Sequence, residues 1–229
     1  MQSLKIKKII GFAVALLVIP IATVVGSTVF GGKKYAFFSL LVAILSCVPF
    51  IIMFERRNHS TMKLVLVAVL TALSVVGRML FGVLPGFKPV TAMVVITAMY
   101  FGSEAGYMVG ALTAVISNFY FGQGPWTPFQ MLTWGTIGLI AGCLAGYLKS
   151  SKIILCIYGA IAGAAFSLIM DVWTVLWWDG TFNISRYIAA LASSGWYTLI
   201  YAVSNVIFLL VLTKPIGSKI ERVKTKYGI

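Results

Sequence analysis

Long apolar runs, broken by short polar or glycine- and proline-bearing segments, dominate this chain. The runs cover residues 9–30, 35–54, 62–80, 90–101, 105–121, 129–148, 153–178 and 187–212. A helix needs ~20 apolar residues to cross a bilayer, and most of these runs have that length. The run 90–101 is short and is expected to extend into the loop before it. No strand-like alternation of apolar and polar positions competes with the helical reading. The first run exceeds the ~7–15 residues of a signal-peptide core, and a second follows directly, so both are read as retained helices. The cluster Glu55-Arg56-Arg57-Asn58-His59-Ser60 is the sharpest break in the pattern. It divides the chain into an accessory helix pair with its linker (1–60), a six-span core (61–213) and a basic tail (214–229).

Composition agrees. Of 229 residues, 60% are hydrophobic and 10% charged, with a mean hydropathy of +1.00. Soluble domains carry ~45–50% apolar and ~25% charged residues. A soluble or disordered chain is excluded, and the expected class is an all-α, multi-pass membrane protein.

Net charge is +13. In a soluble protein this would suggest nucleic acid; here it reads as topology, with no nucleic-acid partner. Lys5, Lys7, Lys8, Arg56, Arg57, Lys63, Lys149, Lys152, Lys214, Lys219, Arg222, Lys224 and Lys226 fall on one side of an eight-span chain. Only Lys33, Lys34, Lys88 and Arg186 fall on the other, and Arg78 lies within a span. Basic residues collect in cytoplasmic loops, so both termini are predicted to be cytoplasmic. The outer loops are then 81–89, 122–128 and 179–186, plus the small turn 31–34, and three of these segments are rich in Gly, Pro and aromatics.

Small residues recur every fourth position: Gly102, Gly106, Gly110 and Ala114; Gly138, Gly142 and Gly146; Gly159 and Gly163; Ala68 and Ala72. This spacing keeps them on one helix face, where they let backbones approach closely. Bundle packing is the expected role of the glycines. For Ala68 and Ala72 the alternative is a smooth face that meets another membrane subunit.

The most informative stretch is Phe119-Tyr120-Phe121-Gly122-Gln123-Gly124-Pro125-Trp126-Thr127-Pro128-Phe129-Gln130-Met131. Its glycines and prolines favour a non-helical turn, and its aromatics and amides are what line organic-ligand pockets. The segment from Trp177 to Asn183, with Trp178, has the same character. Asp171 and Arg78 are charges within spans, which are costly unless paired or facing water; they either pair or contact a polar ligand. Asn118 and Asn205 are read as interhelical hydrogen-bonding residues.

Several chemistries are missing. There is no phosphate-loop motif, no Ser/His/Asp arrangement and a single histidine, His59. Cys47, Cys143 and Cys156 have no metal-binding spacing. Neither an enzyme nor a metal site is expected.

With these residues in view, the core 62–212 resembles the substrate-binding S component of energy-coupling factor (ECF) vitamin transporters. The similarity rests on six hydrophobic spans, on Ala68-Val69-Leu70-Thr71-Ala72 in the first, and on aromatic outer loops after core spans one, three and five. The 121–131 segment resembles the loop of the cobalamin-specific CbrT group. The resemblance implies a six-helix S-component core preceded by two extra transmembrane helices, in the bacterial cell membrane. It implies docking through Ala68 and Ala72 on the transmembrane coupling subunit EcfT, two cytoplasmic EcfA-type ATPases, and delivery by toppling. Arg78, Phe87, Lys88, Asn118, Tyr120, Gln123, Trp126, Thr127, Gln130, Asp171, Trp178 and Asn183 are the expected substrate-binding residues. Cobalamin is the favoured transported ligand, with no resident cofactor. Riboflavin, pantothenate or a pyrimidine are alternatives, as is a self-contained proton-coupled secondary transporter using Asp171.

Overall fold

The computed structural model describes residues 61–228 and, in isolation, Ala13. The accessory helix pair, its linker, Cys47 and His59 lie outside the described residues. The remainder is a bundle of α1 (Thr61–Leu80), α2 (Val90–Phe101), α3 (Ser103–Phe121), α4 (Trp126–Cys143), α5 (Ala145–Ser150), α6 (Lys152–Asp179) and α7 (Ile184–Tyr227). No strand occurs among the described residues. Three helices, α1, α6 and α7, are long and apolar enough to cross a membrane on those criteria alone.

α1 shows how the pattern becomes a face. Val67, Leu70, Thr71, Ser74, Val75 and Arg78 are buried, a spacing of three and four that forms one helical stripe. Val65, Ala68, Val69, Ala72, Leu73 and Val76 are exposed on the opposite side. α2 behaves differently. It is apolar all round and buried at every position except Tyr100, as expected of a helix enclosed by others. It contacts α1, α3, α4 and α7. It does not extend into the loop before it. Pro89 stands immediately ahead of Val90, and Pro125 ahead of Trp126, where a missing N–H breaks no helical bond.

The glycine stripes on α3 and α4 pack against each other. A Cβ built on Gly138 would sit 2.5 Å from the Gly106 carbonyl, and one on Gly110 would sit 2.6 Å from the Trp134 backbone. Gly163 makes the equivalent approach to Tyr201 and Ala202 between α6 and α7. Gly146 belongs to the same sequence stripe but meets nothing within 4 Å.

Two elements differ from the sequence expectation. The span 129–148 is divided, because Leu144 leaves helical angles (φ −93°, ψ 8°) and α5 starts again at Ala145. The basic segment after residue 213 is helical: α7 runs through Pro215 to Tyr227. At 1.5 Å per residue it is ~66 Å long, about twice the ~30 Å hydrocarbon core. Gly217 and Ile220 in this segment are buried, and the Lys224 Nζ donates to the Tyr100 carbonyl at 3.0 Å. Charge hides an amphipathic spacing of Ile216, Ile220 and Val223.

Candidate functional site

A hydrogen-bonded chain of side chains organises the end of the bundle that the Lys/Arg bias assigns to the outside. Asn118, fully buried near the end of α3, is its pivot. Its Oδ1 accepts from the Arg78 Nη1 at 2.9 Å. Its Nδ2 donates to the Thr127 Oγ1 and to the Gln130 Oε1, each at 2.8 Å. A guanidinium only donates, so it dictates which way the Asn118 amide points. Thr127 in turn donates to the Gln123 Oε1 at 3.0 Å, and Gln123 donates to the Val115 carbonyl at 2.8 Å. The 122–128 turn is thereby tied to α3 and α4. Arg78 Nη1 also donates to the Ser117 Oγ, and its guanidinium lies 4.8 Å and 5.0 Å from the Phe121 and Trp134 ring centroids.

The loop between α1 and α2 is held from another direction. Phe87 packs with Phe81 and Phe208, with centroids 6.0 and 5.0 Å away. The Lys88 N–H donates to the Ser204 Oγ of α7 at 3.0 Å. The Lys88 Nζ reaches to 5.1 Å from the Phe121 ring. Burial, and behind it the Arg78 guanidinium, hold the Lys88 ammonium below the usual lysine range.

These anchors frame a cavity of about 320 Å³, at the small end of the ~300–1,000 Å³ typical of organic-ligand sites. Arg78, Lys88, Gln130 and Asp171 line it, with Thr91, Trp134, Phe166, Ser167, Met170, Ser194, Tyr197, Tyr201 and Asn205. Trp134 stacks on Phe166 at 4.8 Å and 19°, and Phe166 meets Tyr201 edge-on at 5.2 Å. Among the described residues, two buried donors on lining residues have no partner, the Arg78 Nε and the Asn205 Nδ2. Buried polar groups are almost always satisfied, so both are suited to acceptors on a bound molecule. The Asp171 carboxylate accepts from the Ser194 Oγ.

Of the residues expected at the site, the structure brings Arg78, Lys88, Gln130 and Asp171 to this cavity. Asn118, Gln123 and Thr127 stand behind it, as the network that positions Arg78 and Gln130. Phe87 belongs to an aromatic cluster under its loop. Trp126 lies edge-on to Trp173 at 5.9 Å, away from the cavity lining. Tyr120 and Trp178 are 68% and 72% exposed and are not part of its lining. Asn183 is the N-cap of α7, accepting from the Ser185 and Arg186 N–H groups. Arg78 and Asp171 share the cavity, but among the described residues no ion pair joins them; each is engaged by other partners. Asn205, expected to bond between helices, lines the cavity, but among the described residues its buried amide nitrogen has no hydrogen-bond partner.

Trp134, Phe166, Tyr197 and Tyr201 were not among the expected residues, because each sits inside an apolar run where an aromatic ordinarily means packing. A signal existed nonetheless. Ser194, Tyr197, Tyr201 and Asn205 recur at spacings of three and four, which is one polar stripe down α7.

No curated protein and no solved structure matches the chain. Residues 58–222 match the family described as ECF-type riboflavin transporter, S component. The match covers the whole described bundle apart from its last residues, and it agrees with an all-α, multi-pass protein of the bacterial cell membrane. The chain belongs to this family of ECF transporter S components, transport subunits rather than enzymes.

Proposed function

We propose that this chain is the vitamin-binding subunit of an ECF transporter and that its outer cavity takes riboflavin or a closely similar flat heterocycle. The observation that carries the reading is a stacked aromatic wall, Trp134 on Phe166, in a lining that also holds Arg78 and Asn205, whose Nε and Nδ2 have no partner among the described residues. A flavin offers a flat ring with carbonyl and imine acceptors at its edge, and a polyol tail. The ring suits the aromatic wall and the open N–H groups. The hydroxyl tail suits Asp171, Ser167 and Ser194. The riboflavin description of the family supports the same choice. Neither that description nor the cavity supports cobalamin, which has several times the mass of a flavin and exceeds a space of about 320 Å³. The reading extends to coupling: the exposed Ala68/Ala72 face of α1 docks on EcfT, EcfA-type ATPases supply the energy, and the bound subunit topples to release its ligand inside.

Riboflavin fluorescence tests the substrate. Titration of the detergent-purified chain should quench the flavin, as stacking on indole requires. Trp134→Ala should weaken binding by at least ~2 kcal/mol, roughly thirtyfold, the usual cost of truncating a central aromatic anchor. Absence of quenching, with calorimetric binding of cyanocobalamin or pantothenate, would overturn the flavin assignment and leave the family membership intact.

A further inference from the structure

A second cavity lies at the opposite, basic end of the bundle. It encloses about 370 Å³ between the ends of α2, α5 and α7 and the start of α6. Its wall is apolar, formed by Met99, Leu148, Leu155, Leu209 and Leu210, and its polar side carries Lys149, Lys152 and Lys214. Among the described residues, none of these three lysines is paired with a carboxylate. Lys149 rests over the Tyr100 ring at 4.3 Å, which holds its ammonium at the cavity. One acid, Glu221, shares the lining, so three cations stand against one anion. The hydroxyl of Thr213, also in the lining, is buried without a hydrogen-bond partner. The N-terminus of α6, a helix of 28 residues, opens at Lys152 in the same place, where Ser151 caps the Ile154 N–H, and the helix dipole there favours negative charge.

We propose that this cavity binds one anionic phospholipid of the inner leaflet. The phosphate sits among Lys149, Lys152 and Lys214 and accepts from the Thr213 hydroxyl, and an acyl chain lies along Leu155, Leu209 and Leu210. Basic pockets between helices on the cytoplasmic side suit such headgroups. The apolar wall distinguishes a lipid from free phosphate, because an inorganic ion would leave the half-exposed Leu210 without an occupant. Leu210 is 49% exposed and opens the wall toward the bilayer, which gives an acyl chain its entry. The site is separate from the outer cavity and independent of which vitamin that cavity takes.

Native mass spectrometry of the full chain tests this, after extraction from nanodiscs made of equal parts phosphatidylcholine and phosphatidylglycerol. One phosphatidylglycerol should be retained in preference to phosphatidylcholine. The Lys149→Gln/Lys214→Gln variant should lower its retention by about thirtyfold, and Thr213→Val by a smaller factor. Lys219→Gln, an exposed lysine outside the lining, should leave retention unchanged. Monodisperse gel filtration and an unchanged melting temperature check that the variants are folded. Three results would overturn the proposal: equal retention of both lipids, an equal loss in Lys219→Gln, or displacement of the lipid by millimolar inorganic phosphate.

Discussion

Asn118 has no spare donor: both its amide protons serve Thr127 and Gln130, while its oxygen accepts from Arg78. Removing it strands a donor on α1 and two acceptors on α4. Asn118→Leu should lower stability by about 1–3 kcal/mol, the penalty of leaving buried polar groups unpaired, read as a fall in melting temperature in detergent. It should also weaken ligand binding, because Arg78 and Gln130 lose the partner that aims them into the cavity. Thr127→Ser keeps the hydroxyl and should change neither. An Asn118→Leu chain that melts and binds like the wild type would mean that the network does not set the site.

Among the helices, the contact of α3 with α4 depends on the absence of side chains. Gly106 and Gly138 face each other so closely that any Cβ must push backbone away, and lipid provides no hydrophobic force to restore the contact. Gly138→Ala should therefore destabilise by about 1–3 kcal/mol, the range for overpacking a tight interface. Gly146→Ala, on the same sequence stripe but with open space around it, should be neutral. Thermal unfolding of the two variants side by side checks this. Equal destabilisation would show that the four-residue spacing, rather than the interhelical contact, governs both sites. α7 follows the same logic at its basic end, where Gly217 lets Tyr100 lie against the helix and Ile220 is buried. Packing, not composition, keeps this segment helical beyond Pro215.

Across the protein as a whole, the proposed docking face and the outer cavity involve different residues. Ala68 and Ala72 lie within an exposed apolar face of α1, remote from the lining of the outer cavity. Ala72→Trp should abolish uptake by the complete transporter while the isolated chain still binds ligand with unchanged affinity, since a bulky ring blocks close helix approach. Normal uptake by that variant would remove the docking assignment. Orientation can be read with a membrane-impermeant maleimide on right-side-out vesicles. In a chain lacking Cys47 and Cys156, the exposed native Cys143 should stay unlabelled from outside. In a chain lacking all three native cysteines, Trp178→Cys should be labelled. The opposite labelling would invert the topology.

The all-α, multi-pass membrane class of the protein was legible in the one-dimensional pattern. The ~30 Å of hydrocarbon imposes a span length, which long apolar runs display directly. Intramembrane charge was equally legible: Arg78 and Asp171 are costly in an apolar run, and both line the outer cavity. The aromatic turn at 119–131 attracted attention to Tyr120, Gln123 and Trp126, yet the cavity is walled by Trp134, Phe166 and Tyr201 from within apolar runs. A local window cannot tell a ring that stacks on a neighbour from one that faces a ligand, because both are simply apolar there. Only the crossing of α4, α6 and α7 decides which face of each helix meets the others. The same holds for the segment after residue 213. Its charges read as a solvated tail until α2 supplies Tyr100 as something to pack against, and burial of Gly217 and Ile220 then stabilises the helix that composition alone disfavours.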